Sequence, residues 1–209
     1  MSISNYTNDT RLTNERREQA FREALTFDQF IGEALVNQDA MKSNFEAYQL
    51  SEQELAGFDS LPEPVEVLVL AHDWCGDVVA NLPLFGKISS RTDKLKLHIL
   101  PRDPDNQDIA ELYLHADGRN HLPTYIFFNQ AGEELGVFIE RPSTITELFN
   151  QWVDNFWNAH PDYEGRGKAI GELEDYVKES LLGYFKEQRA QVLEQEKEAI
   201  IKVIHEIVS

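Results

Sequence analysis

An α/β domain carrying helical segments at both ends is the fold class this sequence predicts, on three observations. VEVLVLA from Val65 and LKLHIL from Leu95 are short, nearly continuous apolar runs, as strands covered on both faces require. TYIFFN, QAGE and ELGVFIE in succession read as a hairpin turned at Gly132. Helical spacing fills the intervals, so the order over residues 61–158 is β, α, β, α, β, β, α, a central mixed sheet flanked by helices.

Residues 1–60 form an N-terminal helical extension. Phe27, Phe30, Ile31 and Leu35 recur at helical spacing, and Met41, Phe45 and Tyr48 repeat the pattern. SEQE at 51–54 is a capping box that opens a further short helix, with Gly57 as its end. LPEP at 61–64 then stops helix propagation, because proline lacks an amide hydrogen and restrains its predecessor. After the first strand a helix runs from Gly76 to about Ile88; another is expected over about 106–116, beyond the polar turn PRDPDNQ, and a third from Thr144 to Trp157. AHPDYEGRG at 159–167 is a hinge, so residues 159–209 are read as a hinge and a long C-terminal helix. Ile170, Leu173, Val177, Leu181, Tyr184 and Phe185, then Leu193, Ile200, Ile204 and Ile207, give it an apolar face. Packing on the domain and a homodimer through this helix both remain open, since the spacing is not a clean heptad.

The chain has 209 residues, enough to bury a core without covalent staples. Its 19 Lys plus Arg against 37 Asp plus Glu leave a net charge of -18, which repels phosphate backbones and anionic lipid. Nucleic acid and membrane partners are therefore disfavoured. No apolar segment approaches the roughly 20 residues that span a bilayer, and MSISNYTNDTRLTNERREQ lacks the apolar heart of a signal peptide. A cytoplasmic protein is expected. The single cysteine, Cys75, fits a reducing compartment, and any disulfide it forms must be with another molecule.

Cys75 lies in HDWCGDVVANLP, where the first strand gives way to a helix. There the unpaired amides and positive dipole end of the helix favour the thiolate. Lowering a thiol pKa from about 8.5 to about 7 gains roughly fifteenfold in thiolate but loses about fivefold in nucleophilicity, so attack quickens only about threefold. A reactive cysteine also needs an exposed sulfur and a surface that aligns the target; the alternative is a small buried apolar residue. Asp77 reads first as a solvated first-turn acid; otherwise it caps the helix start or opposes the thiolate. His72, Asp73, Cys75 and His121 show no metal-ligand spacing, so no metal and no bound cofactor are expected. His98 reads as a strand residue and His115 as a helix-end residue. Phe127, Phe128, Phe138, Trp152 and Trp157 read as core.

Several features together resemble the thioredoxin family. Trp74, Cys75 and Gly76 match the first three positions of its Trp-Cys-Gly-x-Cys motif, and Pro83 falls where that family kinks the following helix. HLPT at 121–124 is similar to its Ile-Pro-Thr segment. The resemblance covers about residues 60–158 and implies a thioredoxin-like fold with Cys75 as the attacking cysteine. It further implies a cis peptide bond before Pro123, backbone groups of Leu122 flanking a substrate groove, and an exposed Trp74 beside the sulfur.

Two departures matter as much. Val78 stands where the family has its second cysteine, and Val69 where it commonly has a buried aspartate that helps deprotonate that cysteine. An internal resolving step, with an effective concentration no external thiol matches, is thus lost. The Val78 backbone amide can still point at the sulfur. Two functions follow. One is a monothiol oxidoreductase acting on a protein disulfide or a low-molecular-weight disulfide, completed by a low-molecular-weight thiol as co-substrate, with Arg102, Arg119 or Arg141 offsetting the acidic surface. The other is a redox-inactive thioredoxin-fold module that binds a partner protein.

Overall fold

The computed structural model describes residues 11–209. Four strands, β1 (Val65–Ala71), β2 (Leu95–Pro101), β3 (Thr124–Phe128) and β4 (Glu134–Ile139), form one sheet in the order β2-β1-β3-β4. β1 runs parallel to β2 and antiparallel to β3, and β3 runs antiparallel to β4. β1 and β3 are thus interior, which is why their side chains are almost all buried. Gly132, at φ +81°, makes the turn between β3 and β4; a Cβ there would strike the Arg17 guanidinium, which donates to the Gly132 carbonyl at 2.5 Å.

The helices before the sheet are α1 (Asn14–Glu23), α2 (Phe27–Glu33), α3 (Gln38–Ala47) and α4 (Glu52–Asp59). Thr26 with Gln29 and Ser51 with Glu54 close capping boxes at the starts of α2 and α4. Gly57 does not end its helix: α4 continues to Asp59, and a Cβ on Gly57 would come within 3.0 Å of the His205 ring. Leu35, expected on a helical apolar face, lies in the turn beyond α2 and is 94% exposed. Leu25 pairs with Ile99 through two backbone hydrogen bonds of 2.8 and 2.9 Å, which covers part of the outer edge of β2.

Helix α5 (Gly76–Ser89) follows β1 and contains Pro83. A proline removes the hydrogen bond to the carbonyl four residues back, here that of Val79. The N-terminal extension compensates: Asn44 on α3 donates its side-chain amide to the Val79 carbonyl at 2.8 Å, and Tyr48 donates its hydroxyl to the Ala80 carbonyl at 3.0 Å. On its other side α5 buries Phe85, which stacks on Tyr125 with centroids 3.9 Å apart, while Phe127 and Phe138 complete the cluster. Each such ring contributes about 2 kcal/mol by leaving water.

The helix expected over 106–116 is shorter. α6 spans only Gln107–Ala110, and the chain then turns so that buried Tyr113 can donate to Glu134 at 2.9 Å. Glu134 is itself buried and accepts from Arg11 at 2.7 Å.

By contacts the chain divides into two units. Among the described residues, one comprises 11–141 together with Ile200–Ser209, and the other Pro142–Ala199. The second unit holds α7 (Ser143–Ala159), a 3-10 turn at Ile170–Glu172, α8 (Asp175–Gln191) and the start of α9 (Leu193–Val208). Its core joins Trp152, Phe156 and Trp157 of α7 to Leu173, Val177, Leu181 and Phe185. The long C-terminal helix is therefore two helices. Val192 leaves helical geometry at φ -115° and ψ 16°, and Arg189 reaches Glu196 across the break at 2.9 Å. The apolar positions of α9 beyond Ala199, Ile200, Ile204 and Ile207, are buried, and His205 stacks on Phe58 at 4.8 Å.

Candidate functional site

Cys75 occupies the N-cap position of α5, with φ -80° and ψ 123°. Its backbone is held at both sides, by Cys75 N–H to the His72 carbonyl at 3.1 Å and Val79 N–H to its own carbonyl at 3.0 Å. The Leu122–Pro123 peptide bond is cis, and the Cys75 thiol donates to the Leu122 carbonyl at 3.4 Å. Cys75, Leu122 and Pro123, 47 residues apart along the chain, thus meet at one point. Cys75 is half-buried, whereas Leu122 and Pro123 are buried. Gly76 is exposed at the first position of α5. Val69 and Val78, at the two positions that depart from the thioredoxin motif, are fully buried and apolar.

The helix end does not win the electrostatic contest at the sulfur. The Cys75 pKa is raised above the ordinary thiol value, chiefly by burial, with the negative charges of Asp77 and Glu140 adding to it. The amides of Val78 and Asp77 point at the sulfur and pull the other way, without reversing the outcome. The direction is opposite to the expected thiolate-favouring position: desolvation and two nearby carboxylates outweigh the two amides.

Asp77 is not a solvated acid. Its side chain is 11% exposed and is gripped by Arg141, whose Nε donates to Oδ1 at 2.8 Å and whose Nη2 donates to Oδ2 at 2.5 Å. Arg141 also donates to Glu140 at 2.7 Å. Glu140 sits at φ 64°, a left-handed conformation uncommon outside glycine. It is secured there by its N–H to the Pro123 carbonyl at 2.8 Å and by Asn81, fully buried on α5, which donates to its carbonyl at 2.6 Å. Neither Asp77, Arg141 nor Glu140 carries a motif of its own. Their sequence distance, 64 residues between Asp77 and Arg141, hid the pairing.

Trp74 is 58% exposed and stacks on His72, centroids 5.4 Å apart. The neighbouring Asp73 accepts from the backbone N–H groups of Leu35 and Val36 at 2.7 and 3.0 Å, and Asn37 donates to the Asp73 carbonyl at 2.9 Å. That docks two exposed apolar residues, Leu35 and Val36, on the turn that carries Trp74. His72 Nε2 accepts the Asp103 backbone N–H at 3.1 Å, so His72 and Asp73 are both engaged in structure. Together with Cys75 and His121 they form no convergent ligand set among the described residues. Arg102 is directed to Asp103 and Asn120, and Arg141 to Asp77 and Glu140, while Arg119 is exposed. His98 lies on β2, paired with Glu66 at 2.7 Å and stacked on Phe21. That pair, with Gln130 and Lys96, lowers the Glu66 pKa to about 2.

A four-stranded mixed sheet, a cysteine at the N-cap position of the helix after the first strand, and a cis-proline across from it define the class of thioredoxin-fold proteins. A family model described as Thioredoxin matches residues 24–153, more than half of the chain, and the chain belongs to the thioredoxin family. No curated protein matches it. Two solved structures share the fold. An HIV epitope-scaffold is 18% identical with a TM-score of 0.58, over 90% of this chain and 96% of that one. A protein of unknown function from Pseudomonas aeruginosa is 18% identical with a TM-score of 0.55, over 85% of this chain and 99% of that one. Among the described residues no helix is long and apolar enough to cross a membrane.

Proposed function

We propose that this chain is a thioredoxin-fold binding module that lays an extended segment of a partner protein over Trp74, Cys75 and the Leu122–Pro123 bond, without dithiol turnover. The observation that supports it most is the setting of the sulfur. Its hydrogen is directed at the Leu122 carbonyl, burial and two carboxylates favour the protonated form, and buried Val78 fills the place of a resolving thiol. Around it, Trp74, Leu35 and Val36 offer exposed apolar surface. The net charge of -18 favours a partner segment with cationic flanks. A reducing compartment, the cytoplasm, suits a lone thiol in this role. Tyr176 and Leu182, exposed on α8, are the residues on which a homodimer through the C-terminal segment would rest.

A monothiol oxidoreductase is the second reading, favoured by the two amides aimed at the sulfur. In it the Cys75 thiolate attacks one sulfur of a partner disulfide, forming a mixed disulfide and releasing the other sulfur as a thiolate that takes up a proton. A low-molecular-weight thiolate then attacks the partner sulfur of that mixed disulfide and returns Cys75 as a thiolate.

Partner capture from cell extract, run in parallel with and without reductant, separates the two. The binding module predicts that Cys75→Ser retains every partner retained by the unaltered chain, while Trp74→Ala loses them. Partners seen only as mixed disulfides, lost in Cys75→Ser, would replace the first reading with the second.

A further inference from the structure

Beside the groove, the seven-residue stretch HADGRNH from His115 to His121 brings three metal-ligating side chains together. A tight turn does this. His115 N–H donates to the Arg119 carbonyl at 2.8 Å, Gly118 N–H donates to the His115 carbonyl at 2.9 Å, and Gly118 takes φ +79°. One ligand atom each from His115, Asp117 and His121 falls within 4.8 Å of the others. His121 Nε2 is 2.9 Å from Asp117 Oδ2, and His115 Nδ1 is 3.7 Å from Asp117 Oδ1. Bonds of about 2.0–2.2 Å to a common ion place neighbouring ligands roughly 3 Å apart, so closure needs at most about 2 Å of approach between the exposed side chains.

A further feature lies outside the loop. His121 turns its second ring nitrogen, Nδ1, to Glu140 Oε1 at 3.5 Å. Metal-bound histidines commonly give their other ring nitrogen to a carboxylate, which orients the ring and raises its basicity. Glu140 is itself fixed through Pro123, Asn81 and Arg141.

We propose that His115, Asp117 and His121 bind a divalent transition-metal ion of the zinc, cobalt or nickel type, with Glu140 as the carboxylate behind His121. Two imidazoles and one carboxylate suit such ions, whereas magnesium and calcium prefer oxygen alone. His115 and Asp117 are exposed, so the remaining coordination positions open to solvent. Because His121 adjoins Leu122, an ion here would also fix the segment whose carbonyl accepts from Cys75.

The test is a calorimetric titration of Zn2+ into the full chain, untagged and freed of metal with chelator, repeated in excess Mg2+ to occupy the acidic surface. One equivalent is expected, with affinity falling at least tenfold in His115→Ala and in His121→Ala, and unchanged in His160→Ala. Glu140→Gln should weaken binding about tenfold, the usual effect of an outer carboxylate. Co2+ should give a visible absorption band that both alanine variants lose. Absence of saturable binding at 100-fold excess Zn2+, or binding that survives both alanine substitutions, would show only a histidine held between the Asp117 and Glu140 carboxylates.

Discussion

Helix α5 treats its middle and its first turn in opposite ways. At the middle, the carbonyl deprived of its hydrogen bond by Pro83 is met by Asn44, and the next carbonyl by Tyr48, so the kink is stabilised by the N-terminal extension. At the first turn, a thiol at the helix N-cap has its pKa raised by burial and by acids that the surrounding structure fixes in position. The difference teaches that polar side chains of this chain secure the kink at the middle of the helix, whereas the acids at its first turn raise the pKa of its sulfur.

The sharpest way to break that contrast is at Arg141. Removing one member of a buried, bidentate ion pair costs about 3 kcal/mol, because the remaining charge stays in a poorly solvated place. Arg141→Ala should therefore lower the urea midpoint at pH 7 by an amount corresponding to about 3 kcal/mol, and the double variant with Asp77→Asn should recover part of it. A loss under 1 kcal/mol would mean that the first turn is not braced by this pair.

A smaller effect belongs to the middle of the helix. Asn44→Ala should cost about 1–2 kcal/mol, the penalty for leaving a largely buried carbonyl poorly satisfied. Pro83→Ala restores an amide hydrogen that can reach the Val79 carbonyl, so Asn44→Ala should cost about 1 kcal/mol less in that background. If the two costs simply add in chemical denaturation, α3 is not the compensation for the proline.

Much of the fold was legible in the sequence because it depends on local patterns. Apolar runs marked β1 and β2, Gly132 marked the hairpin, and Ser51 with Glu54 marked the start of α4. The resemblance to the thioredoxin family pointed to Cys75, Leu122 and Pro123, which meet in the structure. What escaped was set by contacts distant in sequence. The expected helix over 106–116 yields to Tyr113 reaching Glu134, the expected end at Gly57 to its packing against His205, and the single C-terminal helix to a break at Val192. At the site, the charge of Asp77 was visible but its partner was not, and that partner decides whether Asp77 is a solvated cap or a buried neighbour of the thiol.

The smallest effect, and the most direct reading of the first turn, is the titration of the thiol itself. Alkylation of Cys75 by iodoacetamide should rise with pH along a curve displaced above the ordinary thiol value of about 8.5. Asp77→Asn removes one of the charges that oppose the thiolate, so its curve should move back toward lower pH and its rate at neutral pH should increase. The same shift has a consequence for stability. A thiol whose pKa is higher in the folded chain than in the unfolded one contributes stability below the unfolded value, and that contribution disappears as pH rises through the folded value. The folded chain should accordingly weaken on the alkaline side, and Cys75→Ser should flatten that decline. A thiol that alkylates rapidly at neutral pH, with no alkaline loss of stability that Cys75→Ser removes, would mean that the dipole and the two amides prevail over burial and the acids, and the monothiol oxidoreductase would then be the better reading.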